Sequence, residues 1–266
     1  MKSSYVLELE HVSKAFDDDF EVVKDVSIRA RKGEFVCLIG PSGCGKTVLL
    51  YTIAGFFPSH GGQVKVNGKV AHVVGQDRIM VFQDHMLFPW KTVFQNLMFG
   101  MKKSRLSTSE KITLSRKYLQ SIDLVQFKDW PIHKLSGGMK QRVAFARSLL
   151  ANPDILLMDE PFSSVDAITR KNLCEQLIGI WEETQKTILF VTHNIGEAIY
   201  LADTIYVMSA RPTTIRKTYA IHLPRPRDMA DPEYIKILKQ LEDDIQKEFE
   251  PTRNYAEEQI RVSNLL

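Results

Sequence analysis

The chain has 266 residues, of which 44% are apolar and 25% charged, the composition of an ordinary globular protein. Its 35 basic and 32 acidic residues give a net charge of +3, and no long block of one sign occurs. Nucleic-acid-binding proteins usually concentrate basic residues on one face, so the composition argues against a nucleic-acid partner. No apolar run approaches the ~18 residues that span a bilayer, so we expect membrane contact only through a partner.

The three cysteines, Cys37, Cys44 and Cys174, are odd in number and lack the spacing of a metal site. This pattern predicts a reduced, cytosolic chain in which Cys37 and Cys174 are small apolar core residues. Residues 1–10 alternate as in a strand, and they lack the charged start and apolar core of a signal peptide.

The first third of the sequence combines alternating patterns, typical of antiparallel strands, with short continuous apolar runs, typical of strands buried on both faces. Glycine and proline separate these segments. The predicted elements are a hairpin in residues 1–30 with its turn at 17–19, a buried strand at 35–39, a helix at 47–54, antiparallel strands at 64–74 around an Asn-Gly turn, and a short buried strand at 79–82.

Helical spacing of apolar residues dominates from residue 84 to about 151, after which buried strands resume with helices between them. The predicted elements are helices at 108–122 and 137–150, strands at 155–158, 187–192 and 204–209, and a charged amphipathic helix at 231–249. This order predicts a parallel α/β core interrupted by a helical insertion.

A glycine-rich loop between a buried strand and a helix fits the phosphate-binding pattern G-x-x-x-x-G-K-[ST]. Its residues are Gly40, Pro41, Ser42, Gly43, Cys44, Gly45, Lys46 and Thr47. Glycines let consecutive backbone N–H groups surround phosphates at the positive end of the helix. We expect Lys46 to reach the β- and γ-phosphates, Thr47 to bind Mg²⁺, and the Cys44 thiol to lie inside the cradle. The alternative is a glycine-rich turn with a fortuitous lysine.

An apolar strand at 155–158 is followed by Asp159 and Glu160. At the carboxyl end of a parallel strand, this pair would face the crevice in which ligands bind. Asp159 is expected to hold Mg²⁺ through water, and Glu160 to orient and deprotonate the attacking water. Solvated acidic pairs also end many strands, so the functional interpretation of this pair depends on the presence of the phosphate loop.

The sequence LSGGMKQR at 135–142 resembles the signature of the ATP-binding cassette (ABC) family, L-S-G-G-Q followed by a basic helix start. Met139 stands where glutamine is commonest, whereas Ser136, Gly137 and Gly138 match. A serine cap and two glycines opening a helix form a second anion site. An ordinary capped helix is the alternative reading of these residues alone.

The resemblance covers nearly the whole chain and assigns four further residues. Phe16 matches the aromatic side chain that stacks on adenine, with a hairpin core residue as the alternative. Gln83 matches the glutamine that senses the γ-phosphate and metal, and it could otherwise be a plain polar strand end. Asp166 matches a residue of the loop that crosses the dimer; the alternative is a simple helix cap. His193 matches the histidine that contacts the γ-phosphate, although a lone histidine at a strand end is usually structural.

For the fold, the resemblance implies a P-loop NTPase core with a mostly parallel sheet, an N-terminal antiparallel β subdomain and an inserted α-helical subdomain. The predicted division is a single ATPase domain at 1–250, with its core at 1–84 and 152–225 and its helical subdomain at 85–151. A C-terminal helical tail is predicted at 226–266, after the second core segment.

For function, the resemblance implies an ATP- and Mg²⁺-dependent ATPase subunit that drives import. Two copies, or one copy and a paralogue, enclose ATP head to tail. Membrane permease subunits dock at a groove near Met86 and Trp90, where large apolar residues are expected to be exposed. The chain then lies at the cytoplasmic face of the cell membrane and serves a solute-binding protein indirectly.

Residues 207–212 and 223–228 resemble the subgroup that serves nitrate, sulfonate, taurine and bicarbonate importers. Two other functions compete with transport. A cassette ATPase of DNA repair or translation would usually carry a long coiled-coil insertion or a second cassette. A non-hydrolytic regulator would not need the Asp159–Glu160 pair or His193. The solute itself lies beyond these patterns, since cargo contacts belong to other subunits.

Overall fold

A computed structural model describes the backbone of residues 5–16, 20–163 and 165–263, and side chains up to residue 247. Its strands are β1 (Tyr5–Ala15), β2 (Glu21–Arg31), β3 (Phe35–Ile39), β4 (Gly61–Val66), β5 (Lys69–Val70), β6 (Arg78–Val81), β7 (Ile155–Asp159), β8 (Thr187–Val191), β9 (Thr204–Met208) and β10 (Ile215–Ala220). Its α-helices are α1 (Lys46–Ala54), α2 (Val93–Gly100), α3 (Thr108–Ser121), α4 (Gly137–Leu150), α5 (Ala167–Thr184), α6 (Ile195–Leu201) and α7 (Pro232–Ser263).

The central sheet has the order β10-β9-β3-β8-β7-β6, and all of its pairings are parallel except β10 with β9. Side chains alternate between its two faces, and both faces are buried. Phe35 and Phe190 belong to one apolar cluster, whereas Val36 and Leu189 belong to the other. Strands buried on both faces must be apolar throughout, which explains their continuous apolar runs.

Four adjacent strands of this sheet end at the same edge because they run parallel. The phosphate loop follows β3, His193 lies two residues after β8, Glu160 follows β7 and Gln83 lies two residues after β6. Ligands of open α/β sheets bind outside the carboxyl ends of the strands. The topology therefore gathers residues from positions 40 to 193 at one edge.

An antiparallel sheet of order β2-β1-β4-β5 packs over α1, and helices α2 to α4 lie between residues 93 and 150. Side chains at the N-termini hold the helices of this second region in place. Thr92 with Gln95 and Ser107 with Glu110 each form a capping box, satisfying backbone N–H groups that a helix start leaves open. No helix in the described part of the chain has the length and hydropathy of a membrane span.

The predicted fold class is confirmed, with three corrections to its elements. Antiparallel strands do not fill 64–74, because β5 ends at Val70 and the guanidinium of Arg78 binds the carbonyls of Ile53 and Val73 instead. The edge strand β10 was not predicted, since its sequence is mostly polar. Helix α7 continues past 249 to Ser263, through a segment rich in helix formers. The division into 1–84, 85–151, 152–225 and 226–266 stays a prediction, and the predicted turn at 17–19 lies outside the described residues.

Candidate functional site

The loop from Gly40 to Thr47 connects β3 to α1 in a conformation that only glycine adopts easily. Gly45 has φ 120°, and a Cβ there would lie 2.8 Å from the Val22 side chain. The Lys46 ammonium is buried and donates to the carbonyls of Gly40 and Pro41, at 2.8 Å each. A positive charge is thus held within the loop, where phosphate oxygens can replace the two carbonyls as acceptors.

The structure corrects one expectation for this loop. The Cys44 side chain is only 2% exposed and belongs to the apolar cluster beneath the loop, so its thiol does not lie in the cradle.

Two residues far along the chain donate hydrogen bonds to backbone carbonyls of the phosphate loop. Arg211 donates to the Gly43 carbonyl at 2.6 Å, and Thr213 donates to the Cys44 carbonyl at 2.6 Å. No local pattern marks these two side chains, which only the fold brings to the loop.

Thr47 and Asp159 are in direct contact beside the phosphate loop. The Thr47 hydroxyl donates to Oδ1 of Asp159 at 3.1 Å, which joins the start of α1 to the end of β7. Burial raises the pKa of Asp159, and the neighbouring Glu160 adds to this, whereas Thr47 and the Lys46 charge oppose it. A cation at this point would stabilise the charged carboxylate in place of water.

Glu160 and His193 form a direct pair, with Nδ1 of His193 2.9 Å from Oε2 of Glu160. The Glu160 backbone is left-handed, at φ 42°, and its N–H donates to the Val191 carbonyl of β8 at 3.0 Å. A left-handed non-glycine residue is strained by ~1–3 kcal/mol, and such strain is common at active sites. The strained turn and the β8 bond aim this carboxylate at His193.

Gln83 is exposed and donates through Nε2 to the hydroxyl of Ser163 at 3.0 Å. Ser163 in turn donates to the Glu160 carbonyl at 2.9 Å. The residue after β6 is therefore connected to the loop after β7, close to the Glu160–His193 pair. Ser163 lies three residues before Asp166, and its contact with Gln83 is visible only in the structure.

The signature residues lie at the start of α4, where Ser136 accepts from the N–H of Met139 at 3.3 Å. Gly138 packs beside α5, since a Cβ there would lie 3.2 Å from the Thr169 side chain. Asp166 caps α5 by accepting from the N–H groups of Ile168 and Thr169. Among the residues described, no hydrogen bond or ion pair connects Ser136, Gly137 or Gly138 to the phosphate loop.

Phe16 lies at the end of β1 with 41% of its surface exposed. Its ring packs edge-on against Phe57, with centroids 5.2 Å apart, and the Lys14 ammonium lies 4.9 Å from its centre. An exposed ring held by its neighbours can offer a face to a planar ligand.

The apolar stretch at 86–90 is exposed in part only. Met86 and Trp90 are 58% and 76% exposed, whereas Leu87 and Phe88 are half-buried and help to build the local core. Phe88 packs edge-on against Phe99, with centroids 4.4 Å apart. A groove begins beside this stretch, and it is lined by Met80, Met86, Phe88, Phe99, Lys102, Lys103, Arg105, Leu106 and Arg147, among others.

A comparison with protein families identifies the family of this chain. The sequence model of the family described as ABC transporter matches residues 23–163, more than half of the chain. The chain belongs to the ABC transporter family.

Known ABC proteins extend the likeness beyond the matched segment. The chain is 43% identical to the nitrate import ATP-binding protein NrtD of Synechocystis sp., covering 83% of each chain. It is 40% identical to the bicarbonate transport ATP-binding protein CmpD of Synechococcus elongatus, covering 86% of each. The dimeric structure of the ATP-binding cassette MJ0796, in a post-hydrolysis state with ADP and Pi, matches with a TM-score of 0.71 and 28% identity, over 81% of this chain and 99% of that one.

This ABC protein is therefore an ATP-binding and ATP-hydrolysing subunit of an ABC transporter, as its sequence predicts. The phosphate loop, Asp159, Glu160 and His193 lie at the carboxyl edge of the central sheet, whereas the signature residues lie at the start of α4. The role of each individual residue stays a prediction, which the variants below are designed to test.

Proposed function

We propose that two copies of this ABC ATPase, or one copy and a paralogue, enclose ATP head to tail. The observation that carries this is the separation of two anion sites within one chain. The phosphate loop and the signature at Ser136 share no hydrogen bond among the described residues, yet both offer helix N-termini to an anion. A second copy brings the signature over the nucleotide, and the dimeric MJ0796 cassette supports this arrangement.

Within each site, the expected roles follow from the contacts. Lys46 exchanges the carbonyls of its own loop for phosphate oxygens, and Phe16 stacks on adenine. Glu160 accepts the proton of the attacking water, while His193 orients Glu160 and contacts the γ-phosphate. Gln83 senses the γ-phosphate and metal, and Ser163 connects it to the Glu160 carbonyl.

Thr47, Asp159 and Gln83 fit the binding of Mg²⁺. Their side-chain oxygens are of the hard kind that this ion prefers, and Mg²⁺ is usually held by one or two carboxylates together with substrate phosphates and water. The Thr47 hydroxyl and Asp159 carboxylate are already adjacent, at 3.1 Å. When bound, Mg²⁺ neutralises charge on the phosphates.

The groove beside Met86 and Trp90 is the proposed docking site of a membrane permease. At about 1110 Å³ it exceeds the roughly 300–1,000 Å³ of small-molecule pockets, so it suits a protein segment. Its lining combines apolar side chains with the exposed basic side chains of Lys102, Lys103 and Arg105. The matching permease segment is therefore an amphipathic helix that carries acidic residues beside its apolar face.

Charged residues at Met86 and Trp90 are expected to disrupt this contact without unfolding the chain. Both side chains are largely exposed, so Met86→Glu with Trp90→Glu leaves the core intact but places charge on an apolar contact. Co-purification with the permease should fall at least tenfold, while ATP binding is unchanged. Val125→Glu, a change at an exposed apolar residue outside the groove, is the control. An intact complex with the double variant would contradict the docking site.

The transported solute is proposed to be of the nitrate, sulfonate, taurine or bicarbonate kind, delivered by a solute-binding protein. Identity near 40% to both a nitrate and a bicarbonate importer subunit supports this class. The ATPase then works at the cytoplasmic face of the cell membrane, held there by the permease.

Reconstitution of the co-purified complex in lipid vesicles tests the whole proposal. ATP hydrolysis should rise severalfold when the binding protein and one solute of this class are added together. Nitrate, bicarbonate, taurine and an alkanesulfonate are compared in parallel. A chain that co-purifies with nucleic acid instead, and whose ATP hydrolysis none of these solutes changes, would refute transport of this class.

A further inference from the structure

A partly buried ion pair connects α5 to α6 behind the Glu160–His193 pair. Glu197 is 7% exposed, and Nε of Arg170 lies 3.2 Å from its Oε1. A buried charge pair needs a reason, because apolar residues of similar volume are often as stabilising or more so. The contacts of each partner supply that reason.

Arg170 reaches the loop that leads out of β7. Its Nη2 donates to the Val165 carbonyl at 3.1 Å, and its backbone N–H donates to the Asp166 carbonyl at 2.9 Å. Val165 and Asp166 belong to the loop that begins at Glu160. Arg170 therefore restrains the far end of this loop, whose near end is held by Glu160 and Ser163.

Glu197 reaches the end of β8 on the other side. Its Oε2 accepts from the Thr192 hydroxyl at 2.5 Å, and the same hydroxyl accepts from the N–H of Asn194 at 3.0 Å. Asn194 also caps α6 by accepting from the N–H of Glu197 at 3.0 Å. The residues immediately before and after His193 are thus both bound into one network centred on Glu197.

The Arg170–Glu197 contact joins the two halves of the network. One half restrains the loop of Glu160, and the other restrains the segment of His193. The guanidinium fork suits this position, because it can contact a carboxylate and a carbonyl at the same time, which a lysine ammonium does less well. Burial raises the pKa of Glu197, while the Thr192 hydroxyl and the Arg170 charge oppose this rise and favour the carboxylate.

We propose that Arg170 and Glu197 are positioning residues for ATP hydrolysis, which hold the loop of Glu160 and the segment of His193 in register so that the two side chains meet. The proposal rests on the roles proposed above for Glu160 and His193. Neither Arg170 nor Glu197 is expected to touch the nucleotide. Their loss should therefore slow turnover without weakening the binding of ATP.

Four variants separate positioning from stability: Glu197→Gln, Arg170→Lys, Arg170→Met, and the double variant Arg170→Met with Glu197→Gln. Turnover, ATP affinity and melting temperature are measured on each, in the full chain or permease complex that hydrolyses ATP. We expect kcat to fall at least tenfold in the methionine and glutamine variants, with ATP affinity within about twofold of wild type. Arg170→Lys should keep most of the melting temperature but lose several-fold in kcat.

The neutral double variant is decisive, also if a single variant fails to fold. It leaves no unpaired buried charge, so its melting temperature should return towards wild type. A positioning role requires that kcat stays at least tenfold low in this stable protein. Recovery of kcat together with stability would overturn the proposal and leave the pair a purely structural contact.

Two controls keep this result apart from the proposed function. Asp203→Asn weakens a different ion pair, Arg225–Asp203 at 2.6 Å, and should lower stability without changing kcat. Glu160→Gln tests the base directly. If Glu160→Gln is slow but the stable double variant has a normal kcat, only the positioning role is refuted. If Glu160→Gln is fully active, the proposed role of Glu160 as the base is refuted. In the Glu160→Gln background, the double variant should cause little further loss, since the pair acts through Glu160.

Discussion

Glu160→Gln is expected to accumulate as an ATP-bound dimer that hydrolyses ATP ~10²–10⁴-fold more slowly than wild type, the usual cost of a missing general base. Glutamine keeps the size of Glu160 and can still contact His193, but it cannot accept the proton of water. Lys46, Thr47 and Asp159 remain to hold the phosphates and metal. Removing one negative charge near the γ-phosphate also favours the closed state.

Size-exclusion chromatography with Mg-ATP measures the trapped dimer, and phosphate release measures the rate. Ser136→Arg in the same background should abolish the dimer, because the signature of one copy must cover the nucleotide of the other. Glu10→Gln, at a half-buried carboxylate bonded to Lys65 in the N-terminal sheet, is the matched control and should hydrolyse ATP normally. A Glu160→Gln protein that dimerises yet turns over at the wild-type rate would show that Glu160 is not the base.

Lys46→Ala should weaken ATP binding and nearly abolish hydrolysis. Its ammonium is buried and bonded to two loop carbonyls, so alanine removes both the charge offered to the phosphates and a support of the loop. Charge-assisted hydrogen bonds contribute ~1.5–3 kcal/mol each, and every 1.4 kcal/mol is about tenfold in affinity. We therefore expect ATP to bind roughly 10- to 100-fold more weakly, measured by calorimetry.

Lys65→Ala serves as the control for Lys46→Ala, since it removes a partly buried lysine whose partner, Glu10, lies in the N-terminal sheet. It should leave ATP affinity unchanged. Unchanged ATP affinity and full turnover in Lys46→Ala itself would contradict the assignment of the phosphate loop.

Contiguous motifs are the part of this protein that the sequence determined by itself. The phosphate loop, the Asp159–Glu160 strand end and the Ser136 helix start each depend on backbone geometry within about ten residues. This geometry is specified by local sequence features, namely glycines at positive φ, a serine cap and a continuous apolar run. The parallel core followed from the same runs, because strands buried on both faces cannot alternate with polar residues.

Local patterns gave wrong limits where a tertiary contact competed with them. β5 ends at Val70, and beyond it the Arg78 guanidinium donates to the carbonyl of Val73. Cys44 stands inside the loop sequence, yet its side chain turns into the apolar core. The apolar stretch at 86–90 was expected to be exposed, but Leu87 and Phe88 are half-buried, and Phe88 packs against Phe99.

Only the tertiary structure decided which side chains act together. His193 meets Glu160 from 33 residues away, Arg211 reaches Gly43 from 168 residues away, and Arg170 meets Glu197 between two helices. None of these contacts is marked in the sequence by a periodic pattern or a local turn. They exist because parallel strands from distant parts of the chain end at one edge of the sheet, and a hydrogen bond depends on that proximity and not on separation along the chain.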